Sequence, residues 1–312
     1  DGRMGNFLAN AIDWNLSRDR YWGTPLNIWR CDKCGKLHSV GSIAELCELS
    51  GATEVKDLHK PYIDNFTFDC ECGGTMKRVP QVIDCWYDSG AMPFAQWHYP
   101  FENQDKFKEQ FPADFICEAQ DQTRGWFYSL QAISTTVFGV TPYKSCVMSG
   151  HIYDKNGLKM SKSLGNVVDI NGLIDKFGAD TVRFYFCSNS APWLSQKLDE
   201  NGIAEVQRKT ISTLWNTYAF FVLYANIDDF KPAQNVLECK LSLMDKWLLS
   251  QLNSLEAKIE SYMAEFNFTD SARALAEFID ELSNWYVRRS RERFWVDGEN
   301  EDKTSAFNCL YH

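Results

Sequence analysis

The decapeptide Gly157-Leu158-Lys159-Met160-Ser161-Lys162-Ser163-Leu164-Gly165-Asn166 sets two lysines three residues apart among small hydroxyl side chains, with a glycine on either side. Two ammonium groups, two hydroxyls and backbone N–H groups on a glycine-hinged segment suit a triphosphate, whose leaving pyrophosphate gains charge as it departs. A mobile segment that closes on that charge in the transition state raises rate more than it raises ground-state affinity. The pattern is not a Walker A loop, which needs Gly-Lys-Ser/Thr after four spacer residues. By composition alone a solvated lysine turn would account for it. The order Lys-Met-Ser-Lys-Ser is what points to chemistry.

A second constellation is cysteine-based: Cys31 and Cys34 are followed by Gly35, and Cys70 and Cys72 by Gly73. Two short cysteine turns joined by a loop supply the roughly four tetrahedral ligands that zinc takes, and glycine after each pair permits a tight turn. The second pair is one residue shorter than the usual spacing, which leaves Cys47, His38 and His59 in the intervening loop as alternative candidate ligands. With every position filled by protein the metal is structural. A thioredoxin-like reading of Cys31 and Cys34 is disfavoured by Gly35 and by the second pair downstream.

These groups need a scaffold. Phe115-Ile116-Cys117 reads as a buried strand, Trp126, Leu130, Ile133 and Val137 share one helical face, and Ser145-Cys146-Val147-Met148 reads as the next strand. Strand, helix and strand at this spacing predict a βαβ unit with a parallel sheet. From about residue 199 the pattern is helical. Met244, Trp247, Leu248, Leu252, Leu255 and Ile259 form one apolar stripe, and Ala272, Leu275, Phe278, Ile279, Leu282 and Tyr286 form another, with Thr269 or Asp270 as its N-cap. Stripes of this kind predict a helical bundle.

At 312 residues, 45% hydrophobic, with 11 Trp, 21 Phe and 13 Tyr, the chain has material for about two globular domains. No apolar run approaches the roughly 20 residues of a membrane span. The opening residues carry no signal-peptide pattern, so the eleven cysteines predict a reducing, cytoplasmic setting. A net charge of −10 argues against nonspecific coating of nucleic acid and gives no reason to expect a DNA partner. Locally the sign reverses: residues 284–296 hold Arg288, Arg289, Arg291 and Arg293 against one Glu, a net +3 that suits RNA phosphates. Cations at a helix end also serve the helix dipole. Both ends read as cut from a longer protein.

The lysine pentapeptide resembles the signature of class I aminoacyl-tRNA synthetases. Asp84-Cys85-Trp86-Tyr87-Asp88-Ser89-Gly90, the segment from Glu118 to Phe127, the stretch Asn284-Trp285-Tyr286-Val287-Arg288-Arg289-Ser290-Arg291, and Ser17-Arg18-Asp19-Arg20-Tyr21-Trp22-Gly23 strengthen it. Their order is similar to that of the isoleucine branch, and the resemblance covers essentially the whole chain. The valine and leucine branches share the plan. A free-standing zinc-ribbon RNA-binding module is the non-catalytic alternative, but it leaves the lysine loop unexplained.

The resemblance implies an α/β fold, the second half of a Rossmann-like parallel-sheet nucleotide-binding domain, over 1–30 and 81–195. It implies a zinc-ribbon insertion over 31–80 and an all-α anticodon-binding bundle over 196–312. By the same resemblance Trp86 and Trp126 wall the isoleucine side chain, while Glu118, Asp121 and Gln122 contact the adenylate. His151 lies near the adenine, and Lys162 with Lys159 acts at the phosphates of ATP–Mg²⁺. Arg288, Arg289 and Arg291 meet tRNA(Ile), Cys31, Cys34, Cys70 and Cys72 hold zinc, and the enzyme is a monomer. Ala119 departs from the family's usual glycine, which raises the question of a Cβ crowding the adenylate. The second ATP-closing element, a His-Ile-Gly-His-like tetrapeptide, is not in this sequence; His151-Ile152-Tyr153-Asp154 is only an echo. The chain alone is therefore expected to be inactive.

Overall fold

The computed structural model describes residues 2–298 and 300–312, and the chain packs as two units, one ending at Cys146 and one running from Val147 to His312. The first unit opens with helix α1 (Arg3–Ala9) and strand β1 (Ser17–Arg18). A small ribbon follows: β2 (Ile28–Cys31), β3 (Leu37–Ser39), helix α2 (Ile43–Ser50), β4 (Phe68–Asp69) and β5 (Thr75–Arg78). Its sheet runs β3-β2-β5-β4 with every pair antiparallel. Alternation along β2 turns Trp29 and Cys31 inward and Arg30 outward, as a strand with one wet face must. Trp29, Val40, Leu46, Ile63, Phe68 and Met76 form the ribbon core, and the Trp29 indole N–H donates to the Phe66 carbonyl at 2.7 Å.

Strand β6 (Val82–Ile83) returns to pair antiparallel with β1. Helix α3 (Cys85–Ala95), helix α4 (Gln104–Gln110), β7 (Ala113–Ala119), helix α5 (Trp126–Phe138) and β8 (Tyr143–Ser149) complete the expected strand–helix–strand order. β7 lies beside β8, whose residues Tyr143–Cys146 close this unit. β7 is not buried as the sequence suggested: Phe115 is 40% exposed. A two-stranded sheet leaves much of each strand without a covering layer. On α5, Leu130 and Ile133 are buried, whereas Val137 at the far end of the same face is exposed.

In the second unit β9 (Ile152–Tyr153) is followed by helices α6 (Ile170–Phe177) and α7 (Ala179–Asn189). Strand β10 (Gln196–Lys197) then runs parallel to β9, and α8 (Glu200–Val206) begins the helical part. Leu173, Phe177, Val182, Tyr185, Leu198 and Ile203 make one core. The bundle proper holds α9 (Ser212–Ile227), α10 (Leu243–Ala264), α11 (Phe268–Asp280), α12 (Arg288–Trp295) and α13 (Glu301–Tyr311). A wide, π-type turn over Glu281–Val287 joins α11 to α12 without a break. The predicted apolar stripes meet around Tyr286, Leu248 and Leu249. The N-cap of α11 is Asn267, two to three positions before the expected one, because its side-chain oxygen accepts the Asp270 N–H at 3.2 Å.

Candidate functional site

The sulfurs of Cys31, Cys34, Cys70 and Cys72 all lie within 4.8 Å of one another. The short second spacing thus still delivers both sulfurs. Gly35 and Gly73, each directly after a pair, have φ of 74° and 73°, a region that L side chains adopt only with strain. At Gly74 a Cβ would stand 2.7 Å from the Cys31 sulfur, so the cluster needs a bare backbone there. The substitute ligands are otherwise engaged or outside the cluster: His38 pairs with Glu45 at 3.1 Å and His59 with Asp57 at 2.8 Å. Amide N–H groups, led by that of Cys34, bring the Cys31 thiol down to about 6 against the effect of burial. Hydrogen bonds with the Cys34 and Cys31 sulfurs, together with burial, push Cys72 up to about 12. Four crowded sulfurs divided in this way fit a cation that would let all of them ionise, and the cluster can hold one metal ion.

The tryptophans of the expected amino-acid pocket are held on adjoining helices. Asp84 starts α3 by accepting the Trp86 N–H at 3.3 Å, and is itself buried and bound by the Trp14 indole N–H at 3.0 Å and by Arg18 at 2.5 Å. Burial pushes the Asp84 carboxyl up, but these donors, Trp14 first, outweigh it and hold the group below the usual carboxylate range. The Trp86 ring, 42% exposed, stands 3.0 Å from where a Cβ on Gly125 would lie, and the Trp126 indole N–H reaches back to the Ser89 carbonyl at 3.1 Å. Gly90 allows this closeness: a Cβ there would stand 2.7 Å from the Ser129 backbone carbon.

Glu118 is exposed near the end of β7, and Asp121 is exposed on the turn that follows. Gln122 has a second task the sequence did not reveal, since its side-chain oxygen accepts the Trp126 N–H at 2.9 Å and caps α5. Ala119 has φ −71° and ψ 157°, ordinary extended backbone that alanine adopts without strain.

The lysine loop belongs to the second unit. Its chain leaves β9 through Asp154, turns at Gly157, and Lys159 bridges back to Tyr153. Met160 packs against the core around Leu173 and Phe177. Ser161 starts a short helical turn over Lys162–Leu164 by accepting the Leu164 N–H at 3.2 Å, and its hydroxyl lies 3.0 Å from that of Ser163. Lys159 and Lys162 are exposed, and among the described residues neither has a carboxylate within ion-pair distance. His151 is half-buried, and its carbonyl accepts the Gln196 N–H at 2.9 Å.

Arg288, Arg289 and Arg291 are exposed at the start of α12, with the Arg289 guanidinium 4.5 Å from the centre of the Trp285 ring. Arg293 does not belong with them. It turns inward and binds both carboxylate oxygens of buried Asp245, at 2.7 and 2.8 Å, and also pairs with Asp302. The exposed excess therefore falls from +3 to +2, three Arg less Glu292. In the sequence Arg293 cannot be told from its neighbours, because its carboxylate partner lies 48 positions away.

Residues 1–199 match the family model described as tRNA synthetases class I (I, L, M and V), and residues 245–312 match the anticodon-binding domain of tRNA ligase. The chain is 54% identical to the isoleucine--tRNA ligase of Clostridium tetani and 53% identical to that of Clostridium novyi, in each case over 99% of this chain and 30% of the relative. It is 50% identical to the same ligase of Dehalococcoides mccartyi, over 100% of this chain and 31% of the relative. The chain thus spans about 30% of the length of the curated relatives it matches. Its fold is shared by LeuRS of Agrobacterium radiobacter K84 in a ternary complex with tRNA and LeuAMS, at TM-score 0.66, 20% identity, 96% of this chain and 38% of that one. Methionyl-tRNA synthetase of Mycobacterium tuberculosis with methionyl-adenylate gives TM-score 0.65, 17% identity, 99% of this chain and 51% of that one. With well over half its residues matching one family model, the chain belongs to the class I tRNA synthetases of the isoleucine, leucine, methionine and valine group.

Proposed function

We propose that this chain is the part of a synthetase that neutralises ATP phosphates and recognises isoleucine, within an enzyme that forms isoleucyl-adenylate and transfers isoleucine to tRNA(Ile). The observation that carries the reading is that Lys159 and Lys162 both stand exposed and unpaired among the described residues, while Met160 between them is anchored in the core. Ammonium groups free of carboxylates remain available to the charge that develops as pyrophosphate leaves ATP–Mg²⁺.

The remaining roles follow the same reading. Trp86 and Trp126 give flat contact area to a branched alkyl side chain. Glu118 and Asp121 take the substrate ammonium and the ribose hydroxyls, both hydrogen-bond donors. Gln122 contributes chiefly by fixing the entrance to α5, and His151 lies on the adenine side. The four cysteines hold a structural zinc ion, which fits thiolate donors at this separation and the cradle that Gly74 leaves open. Arg288, Arg289 and Arg291 meet tRNA phosphates. Residues 1–30 with 81–195 are the catalytic part, 31–80 the zinc ribbon and 196–312 the anticodon-binding bundle. The enzyme acts as a cytoplasmic monomer with no membrane or DNA partner; among the described residues no helix is long and apolar enough to cross a membrane.

Amino-acid-dependent ATP–pyrophosphate exchange by the whole synthetase tests this. Isoleucine should support exchange far better than valine or leucine, and the 312-residue chain alone should support none, because the tetrapeptide partner of the lysine loop is absent from its sequence. Equal exchange with leucine would contradict the amino-acid assignment.

A further inference from the structure

Resting on that reading of the lysine loop, we infer that Asp154 and Asn166 form a clasp that positions the two ammonium groups. Asp154 is 9% exposed, and its hydrogen bonds are spent on the root of the loop. One carboxylate oxygen accepts the N–H groups of Asn156 at 2.9 Å and Leu158 at 2.8 Å. The other accepts from the Asn166 side-chain amide at 3.0 Å. Asn166 follows the loop and reaches back across it. The same amide donates to the Lys159 carbonyl at 3.3 Å, and its oxygen accepts the Ser161 N–H at 2.9 Å.

One side chain therefore grips the backbone on both sides of Met160, and the carboxylate beneath holds that side chain in one orientation. The donor and acceptor pattern leaves no freedom to flip: a reversed Asn166 amide would set its oxygen against the Asp154 carboxylate and its N–H₂ against the Ser161 N–H. The Asn166 donor, first among these, holds the Asp154 carboxyl below the usual carboxylate range. With the backbone at 159–161 fixed, Lys159 and Lys162 lose less freedom when they engage phosphates, and catalysis by charge placement depends on such preorganisation. Neither clasp residue touches substrate. Both are positioning residues.

Two measurements test this. In the 312-residue chain, Asn166→Ala should accelerate hydrogen exchange at the Ser161 amide while the Leu158 amide, still held by Asp154, keeps its protection. In the full synthetase, Asn166→Ala should lower kcat of isoleucine-dependent pyrophosphate exchange by about 10²-fold, with KM for isoleucine within about twofold because α3 and α5 are untouched. Asp154→Asn sets two amide donors face to face and should fall similarly. The double swap Asp154→Asn with Asn166→Asp restores one donor–acceptor pair and should recover part of the loss, giving a non-additive cycle. Unchanged Ser161 exchange, unchanged kcat, or strictly additive singles would overturn the clasp. Absence of exchange in the unsubstituted enzyme would instead overturn the functional reading on which it rests.

Discussion

The Arg293 guanidinium forks onto both oxygens of Asp245, a carboxylate with no solvent exposure, and the Tyr286 hydroxyl donates to the same carboxylate at 2.6 Å. Asp245 also closes a capping box with Ser242 at the start of α10. One side chain thus ties α10, the π-type turn and α12 together. Removing Arg293 leaves the Asp245 charge buried without a cation, a loss of about 3–5 kcal/mol. Removing Asp245 leaves Arg293 its bond to Asp302 but strips the Tyr286 hydroxyl and the α10 cap of their acceptor. Denaturant unfolding should show that loss in Arg293→Ala and a destabilisation in Asp245→Ala, while Arg288→Ala on the exposed face should change stability by less than about 0.5 kcal/mol.

The same carboxylate makes stability depend on pH. Burial pushes Asp245 up, but Arg293 and then Tyr286 outweigh it, so the folded pKa lies below the ordinary value. A group depressed in this way stabilises the fold fully above about pH 4, and that contribution is lost as pH falls through the folded value. Between about pH 4 and 2 the unfolding free energy should therefore drop less steeply in Asp245→Asn than in the unsubstituted chain, by up to about 1.4 kcal/mol per pH unit for one proton.

The cysteine cluster predicts about one zinc ion per chain by elemental analysis. Stripping it with a chelator should unfold the ribbon, since Cys31 and Cys70 are part of that small core, and should leave the helical unit's far-ultraviolet signal largely intact. Cys72→Ser should lower zinc content and ribbon stability together.

Gly125 lies against the Trp86 ring, and Gly90 lies where α3 meets the Ser129 backbone of α5. Gly125→Ala would place a methyl 2.7 Å from the Gln122 side-chain oxygen and 3.0 Å from the Trp86 ring. In the full enzyme it should raise KM for isoleucine with a smaller change in KM for ATP. Gly90→Ala meets the Ser129 backbone as well as the end of the Ile133 side chain, and the backbone cannot swing aside, so it should cost about 1–3 kcal/mol of stability.

Much of this was legible in the sequence because it is encoded locally. The cysteine turns with their following glycines, the strand–helix–strand spacing and the two apolar stripes each announce themselves within a few residues. What was not legible depends on distant partners. Arg293 reads as one more surface cation until Asp245 is placed beside it. Nothing near Asp84 in the sequence marks its partners, since Trp14 and Arg18 close on it from 70 and 66 positions away. Gln122 and Asn166 carry roles set by which backbone N–H each amide faces. The exposure of Phe115 was missed because an apolar triplet looks the same whether or not another layer covers it.

In the proposed reaction the Lys162 ammonium, with that of Lys159, stabilises charge that develops only as pyrophosphate leaves. Steady-state pyrophosphate exchange by Lys162→Ala in the full synthetase measures this directly. A fall in kcat of about 10²–10³-fold is expected, as for loss of one preorganised charge-stabilising donor, with KM for ATP changed by less than about fivefold. An unchanged kcat with a large rise in KM for ATP would show that the loop serves ground-state binding alone and would contradict this role.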